Sequence, residues 1–387
     1  MPQPGITPEI LRVAAPALGI LKHIPQHLID DRGFTDALNM DFNDNEFFVA
    51  MGWKKYIAAK PFNEGVVGIM QQFYGGSPVN LGKNDPIIAV GSTKVSFWNP
   101  ETSAWVDISP VGDPLNGDLS TFYSYSWAAL GKYLLLCPGV RSTVFKWTGE
   151  LGEKISRLTT LTNMPDDTPP GIAIERAITI GEFEHHILLS YVYDKTIRDD
   201  GTQNGWLPQR IIWSDLNDAT EYRSGLLDEA TGKTSEAGYI DVPQQHGLDF
   251  TYVNAFERLR DIMVIYCRDA IWTIDYIGLP FVFTLRLVVP RLGCQGAVAN
   301  FGTKHVFMGH DRQFYLFNGV DVENIGMPIR DYYYTNSTNL IAPRGYALRN
   351  PDRAVFFYQK KDSSREILEY NLESNSWTKK SFPFTVG

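Results

Sequence analysis

"SFWNPETSAWVDIS" occupies residues 96–109 and "LEYNLESNSWTKKS" residues 368–381. Aligned on Trp105 and Trp377, they share an aromatic (Trp98, Tyr370), an asparagine (Asn99, Asn371), a glutamate (Glu101, Glu373) and a hydroxyl (Thr102, Ser374). An asparagine side chain can hydrogen-bond backbone two residues on and so opens a turn. Alternating apolar residues on either side make strands. A chain that repeats one hairpin near both ends is built from repeats.

Further copies lie between. Residues 87–98 read "IIAVGSTKVSFW", 133–147 "YLLLCPGVRSTVFKW", 262–276 "IMVIYCRDAIWTIDY", 305–317 "HVFMGHDRQFYLF" and 354–370 "AVFFYQKKDSSREILEY". A third copy in chain order is split into "HILLSYVYD" (186–194) and "RIIWSD" (210–215). Each hairpin gains a preceding strand at 66–73, 122–128, 177–183, 250–256, 297–301 and 346–350. Each gains a following strand at 105–108, 154–158, 239–242, 283–289, 322–325 and 377–382. Four strands repeated six times, at a period of roughly 40 to 50 residues, predict an all-β fold, a six-bladed β-propeller of antiparallel blades. One twisted four-stranded sheet cannot bury both faces, whereas six packed around an axis can.

The propeller is expected over residues 63–387, with 1–62 as an N-terminal arm. That arm holds an apolar run, including Ile10, Leu11, Leu18, Ile20, Leu21 and Ile24, which Pro16 and Pro25 keep from forming one long helix. Blade three carries two polar insertions, "DKTIRDDGTQNGW" (194–206) and "EYRSGLLDEATGKTSEAG" (221–238). Loops of this length on a compact scaffold are where contacts and function concentrate.

Composition narrows the function. The 387 residues carry 35 Lys and Arg against 44 Asp and Glu, a formal net charge of −9. A surface that grips nucleic-acid phosphates needs the opposite balance. Cys137, Cys267 and Cys294 are an odd number without CxxC spacing, so neither a disulfide framework nor a thiolate metal site is indicated. No run approaches the length of a membrane span, and the Met1 end lacks the order of a signal peptide, so synthesis in a cytoplasm is expected.

Adjacent His185 and His186 point to opposite faces of a strand and cannot share a metal; one is expected in the core and the other in solvent. Asp41, Asn43, Asp44, Asn45 and Glu46 resemble a calcium loop but lack its central glycine and its closing glutamate. Arg176, Glu182, Asp215 and Arg258 are the charges that would have to converge in a propeller glycosidase, yet no Asp-box repeat is present. No P-loop, dinucleotide fingerprint, nucleophile elbow or H-E-x-x-H occurs. No enzyme, cofactor or metal is predicted.

Several segments read together resemble the tail nozzle proteins of short-tailed bacteriophages, also known as tail tubular protein B, tail accessory factor or packaged-DNA stabilisation protein. They are "QRIIWSDLNDATEYRSG" (209–225), "RDIMVIYCRDAIWTIDYIGLPFVFTLRLV" (260–288), "LGCQGAVANFGTKHVFMGHDRQFYLFNGVDVENIG" (292–326) and "NLESNSWTKKSFPF" (371–384). The likeness extends upstream through 33–70, "GFTDALNMDFNDNEFFVAMGWKKYIAAKPFNEGVVGIM". There "GWKKY" (52–56) keeps a lysine pair and lacks the family's Pro-Gly.

The resemblance implies a six-bladed propeller, six copies of which form a ring in the virion tail beneath the portal and its adaptor protein. Such a ring passes double-stranded DNA without binding it specifically, retains packaged DNA until ejection, and docks tail fibres or spikes outside. Asp194, Lys195, Arg198, Asp199, Asp200 and Trp206 of one insertion are candidate channel, gate or subunit-interface residues, as are Glu221, Tyr222, Arg223, Asp228 and Glu229 of the other. The arm residues Ile10, Leu11, Leu18, Ile20, Leu21 and Ile24 are candidate adaptor contacts. A propeller glycan hydrolase or lyase, and a kelch-like interaction module, stand as the alternative readings.

Overall fold

The computed structural model describes residues 19–24, 28, 33–34, 36, 38, 40–43, 46–49, 59–63, 68–71, 87–99, 101–112, 115, 125–139, 143–150, 152–158, 174–197, 201–225, 227–228, 232–244, 251–338, 343–349 and 352–381. Six antiparallel sheets follow one another along the chain as the blades of a propeller. Blade one comprises Gly68–Gln71, Ile87–Val90, Val95–Asn99 and Ala104–Asp107. Blade two comprises Ser126–Leu130, Tyr133–Cys137, Phe145–Trp147 and Ser156–Arg157. In blade three the first strand is interrupted, Ile174–Arg176 and Thr179–Phe183, and is followed by His186–Ile197, Gln203–Trp213 and Gly238–Asp241.

Blade four comprises Val253–Leu259, Ile262–Cys267, Ala270–Gly278 and Val282–Pro290; blade five Cys294–Asn300, His305–Gly309, Phe314–Phe317 and Val322–Asn324. Blade six comprises Arg344–Leu348, Arg353–Gln359, Arg365–Asn371 and Ser376–Ser381. A helix of seven residues, Arg330–Asn336, joins blades five and six. No helix among the described residues is long and apolar enough to cross a membrane.

The repeated hairpin is built alike at both ends of the chain. Asn99 Oδ1 accepts from the amides of Glu101 (2.9 Å) and Thr102 (3.4 Å), and Asn371 Oδ1 from those of Glu373 (2.9 Å) and Ser374 (3.3 Å). The turn then closes through a left-handed residue in each, Ser103 (φ 50°) and Asn375 (φ 51°). Trp98 pairs with Trp105 and Tyr370 with Trp377 across the third and fourth strands.

Apolar cores fill the spaces between neighbouring blades. Phe97 and Val95 meet Leu136 and Trp147; Leu135 and Cys137 meet Leu189 and Ile212; Leu188 and Trp213 meet Ile265 and Phe283. Tyr266 and Ile271 meet Phe307 and Phe317, and Phe314 and Met308 meet Phe356 and Trp377. The second strand of each blade is covered on both faces, so its residues are almost uniformly buried, as in His305–Gly309. The innermost strands crowd one another near the axis. A Cβ at Gly181 would stand 2.8 Å from Phe256 Cβ, and one at Gly345 would stand 2.9 Å from the Val298 backbone, so both positions require glycine.

Two expectations change. Most of the first insertion is strand: residues 194–197 and 203–206 continue the central strands of blade three, with Tyr193 opposite Trp206, Asp194 opposite Gly205 and Ile197 opposite Gln203. Its polar residues do not share one exposure: Asp194 is fully buried, whereas Lys195 is exposed. The arm is also more committed than expected. Gly19–Ile20 pairs in parallel with Gly33–Phe34, Leu38 bridges Lys379 on the outer strand of blade six, and Lys22 N donates to Pro328 O (2.7 Å). Asp36 carries ion pairs to both Lys22 and Lys379. Ile20 and Leu21 are buried within the chain itself, which removes them as adaptor contacts. Ile24 is half-buried, and Ile10, Leu11 and Leu18 lie outside the described residues.

Candidate functional site

Strand direction alternates within each blade, so the turn between second and third strands shares a rim with the crossover to the next blade. The turn between third and fourth strands lies at the other rim. The two insertions of blade three therefore stand on opposite faces of the propeller and cannot act at one mouth.

On the crossover rim, the protruding hairpin starts at an irregularity. Register passes from Ser190 opposite Ile211 to Val192 opposite Leu207, so that Tyr191 stands opposite residues 208–210 across an irregularity. Pro208 fits there because a bulge demands no ladder hydrogen bond from it. Tyr191 has φ 55°, a conformation that is an outlier for a bulky side chain. Bulges of this kind re-aim a side chain, and Tyr191 is aimed sideways. Its ring stacks on Tyr252 (centroids 5.6 Å apart, planes at 30°) and meets Trp206 edge-on (5.5 Å, 89°).

Trp206 also meets Tyr193 (5.2 Å), over whose ring the Arg176 guanidinium lies at 5.3 Å. Tyr252 belongs to the segment leading into blade four, and Arg268, in the second turn of that blade, donates its amide to Tyr252 O (2.9 Å) and lies 5.8 Å from its ring. All four aromatic side chains are half-buried. Farther out, buried Asp194 accepts from Asn204 Nδ2 (2.8 Å), and exposed Lys195 pairs with Glu175 (2.8 Å). Arg198, Asp199 and Asp200 lie outside the described residues.

On the opposite rim, the second insertion is tied down by its own residues. Burial raises the Glu221 carboxyl, but the Arg223 guanidinium, donating through Nε (2.8 Å) and Nη2 (2.5 Å), outweighs it and leaves the carboxyl below its ordinary value. Tyr222 is fully buried in the core between blades two and three, with Ala219, Ile212 and Leu189. It is a packing residue and not a gate, and its burial pushes the phenol well up. Asp228 sits in a two-strand ladder opposite Lys233; Glu229 lies outside the described residues.

The histidines divide as expected, for a different reason. Glu184 and His185 both have positive φ and form the tight turn itself, so His185 is exposed while His186 starts the next strand fully buried. His186 Nδ1 lies 2.7 Å from Glu184 O and Nε2 3.5 Å from Glu236 Oε2, with the Phe283 and Tyr276 rings packed around it. Burial lowers its pKa and keeps it neutral.

The charges considered for a glycosidase do not converge. Arg258 approaches Glu182 (4.0 Å) and Glu184 (3.7 Å) on this rim, Asp215 accepts from the Glu236 amide (2.7 Å), and Arg176 is on the other rim. Within the acidic run, 40–43 pairs with 46–49, Asn43 opposite Glu46, and Asp44 and Asn45 lie outside the described residues. All three cysteines are fully buried, and burial pushes the Cys294 thiol up to about 12.

No family model matches the chain, and no curated protein does. Solved structures align with the chain at low identity. The extracellular domain of a putative one-component system from B. thetaiotaomicron aligns with 74% of this chain at 12% identity and a TM-score of 0.39; the chain spans 31% of that protein. A chain of the Mitotic Checkpoint Complex aligns over 85% of this chain and 88% of its own, at 12% identity and 0.41. Apo AztD from Citrobacter koseri aligns over 89% and 78%, at 9% identity and 0.38.

Proposed function

We propose that the chain is a structural subunit of the tail nozzle of a short-tailed bacteriophage, assembling as a six-membered ring below the portal and adaptor. The observation that carries the reading is the ordered likeness of residues 33–70, 209–225, 260–288, 292–326 and 371–384 to that family. The fold the likeness implies, a six-bladed propeller, is the fold of the chain.

Two features are consistent with a conduit. A net charge of −9 gives a surface that repels phosphates, so DNA slides past without being held. The hairpin of blade three, being strand-paired as far as Ile197 and Gln203, is stiff enough to narrow a channel and, if it moves, pivots at the Tyr191 irregularity. The ring needs a head-to-tail interface between copies, and the outer strand of blade four, with half-exposed Leu287, offers an unpaired edge for it. In this role the protein is not a catalyst.

The test is electron microscopy of phage particles labelled with an antibody raised against this chain. Label at the tail tip is expected; particles with no label anywhere would return the chain to the glycan-cleaving and kelch-like alternatives.

A further inference from the structure

We infer that the tip of the outer hairpin of blade four, residues 276–285, is a membrane-contact element that seats in the interface of a lipid bilayer. The inference is independent of the nozzle reading.

The third and fourth strands of blade four run on past the sheet that carries them. The second strand pairs with the third only as far as Met263 opposite Ile274, whereas the third and fourth continue through Tyr276 opposite Phe283 to Gly278 opposite Val282. The hairpin therefore stands out from the rim opposite the crossovers. Its base is braced: Phe283 packs on Trp213 and His186 (ring centroids 5.1 Å in each case), and Tyr276 donates its hydroxyl to Glu236 Oε2 (3.0 Å). What the braced hairpin holds out is apolar. Ile277 is 54% exposed, Leu279 56% and Phe281 74%, with Pro280 exposed between the last two.

That apolarity is particular to this blade. Residues 276–285 read "YIGLPFVFTL" and carry no charge. The turns between third and fourth strands of the other blades all hold carboxylates: Glu101, Glu150 and Glu153, Asp215 and Asp218, Asp321, and Glu373. Those turns are built to meet water, and this one is not.

Size, shape and the order of groups along the hairpin say what covers it. Three side chains on one projecting turn make a convex patch on the order of a few hundred Å², below the roughly 800 Å² per partner of a stable protein interface. Ile277, Leu279 and Phe281 are outermost, the Tyr276 ring comes next, and the Asp275–Arg286 ion pair (4.0 Å) closes the base. Acyl chains, interface and water present the same sequence of environments, with amphipathic aromatics in the middle layer. From Tyr276 to the turn is about 10 Å at ~3.3 Å per residue, which matches the roughly 5–10 Å to which interfacial elements sink their apolar side. The charges beside the tip are of both signs, Arg258 and Arg286 with Glu184 and Asp275, so the contact is with the apolar layer and needs no anionic headgroup.

The test floats the full chain with extruded vesicles of phosphatidylcholine, alone or mixed with phosphatidylglycerol. Co-flotation with both is expected, little changed between about 0.1 M and 1 M salt. Leu279→Asp combined with Phe281→Asp lowers the bound-to-free ratio by at least about 10-fold. Circular dichroism and the thermal midpoint stay unchanged, because both side chains are exposed. Tyr334→Asp, at an exposed aromatic on the crossover rim, leaves flotation as it was. The emission of Phe281→Trp shifts to the blue on adding vesicles and is quenched by brominated acyl chains. Absence of co-flotation, flotation that survives the double substitution, or binding confined to anionic vesicles and lost in high salt would each overturn the assignment. So would an oligomer of the vesicle-free chain that the double substitution dissociates, since a second copy would then occupy the tip.

Discussion

The two copies of the hairpin make opposite demands on the same residue type, and truncating each tryptophan measures the difference. Trp377 is 1% exposed, lies within 4.8 Å of Phe314 and 5.0 Å of Tyr370 between ring centroids, and donates Nε1–H to Ile325 O at 2.7 Å. Removing a fully buried tryptophan costs about 3–5 kcal/mol in lost transfer free energy and cavity. A buried carbonyl deprived of its donor adds about 1 kcal/mol.

Trp105 occupies the equivalent position but is half-buried. It packs edge-on against Trp98 (5.5 Å) and donates to Ala59 O (3.0 Å) at a site open to water. Water replaces that donor, and no closed cavity forms, so Trp105→Ala costs about 1–2 kcal/mol. Urea unfolding followed by far-ultraviolet circular dichroism reads both values. Trp377→Phe, which keeps one aromatic ring in the core but removes the indole N–H and the volume of the fused ring, is expected to fall between them. Equal losses for Trp105→Ala and Trp377→Ala, or a larger loss for Trp105, would refute the claim that burial and not the motif sets the energy.

Two further outcomes follow from buried charges. Glu369, 2% exposed, is held by Arg353 (2.8 Å) and by Lys380 through both carboxylate oxygens (2.8 Å each), so Glu369→Gln removes the counter-charge of buried Lys380 and half-buried Arg353 and costs about 3–5 kcal/mol, whereas Glu369→Leu combined with Lys380→Met and Arg353→Met recovers most of the loss in the same urea assay. Glu257, on the innermost strand of blade four, is raised to about 7 by burial, the Asn300 hydrogen bond (2.9 Å) pulling only part of the way back. Because its folded pKa exceeds its unfolded one, the native state holds the proton longer, and stability falls as pH rises from about 4.5 to about 7. The contribution is on the order of 2 kcal/mol, and Glu257→Gln is expected to flatten that limb of the stability curve; an unchanged slope would show that the carboxyl is ionised throughout.

Much of this fold is legible in the sequence, and what is legible follows burial. Second strands, covered on both faces, read as continuous apolar runs such as "YLLLC" and "IMVIYC", and each lies where those runs lie. Fourth strands face water on one side, and their limits drift: Ser156–Arg157 is shorter than the run at 154–158, and Val282–Pro290 longer than 283–289. The helix Arg330–Asn336 gave no signal because its sequence, "RDYYYTN", is rich in residues that favour strands. It is held instead by burial of Ile329 and Tyr333, four residues apart on one face. The site was half legible. Trp206 was visible as an aromatic in a polar stretch, but Tyr191 looked like an ordinary strand residue, and a positive φ leaves no mark in composition. Tyr252 joins it only through the packing of blade four on blade three.

The seam of the ring shows where the repeat was bent to another purpose. In blade one, Phe97 points from the third strand toward blade two; in blade six the matching position is Glu369. The face of blade six opposite Trp377 thus carries Glu369, Lys380 and Arg353, and the face of blade one that meets it carries Trp98 and Trp105, both half-buried. Five interblade spaces are filled by apolar cores, and among the described residues the sixth has none. Each blade takes its four strands from one continuous segment, so no strand is shared across the seam. The N-terminal segment supplies what a shared strand would: it pairs Leu38 with the outer strand of blade six, ties Asp36 to Lys379, and farther on offers Ala59 O to Trp105 of blade one. The arm is the clasp of the propeller, which is why its apolar residues Ile20 and Leu21 are buried at home.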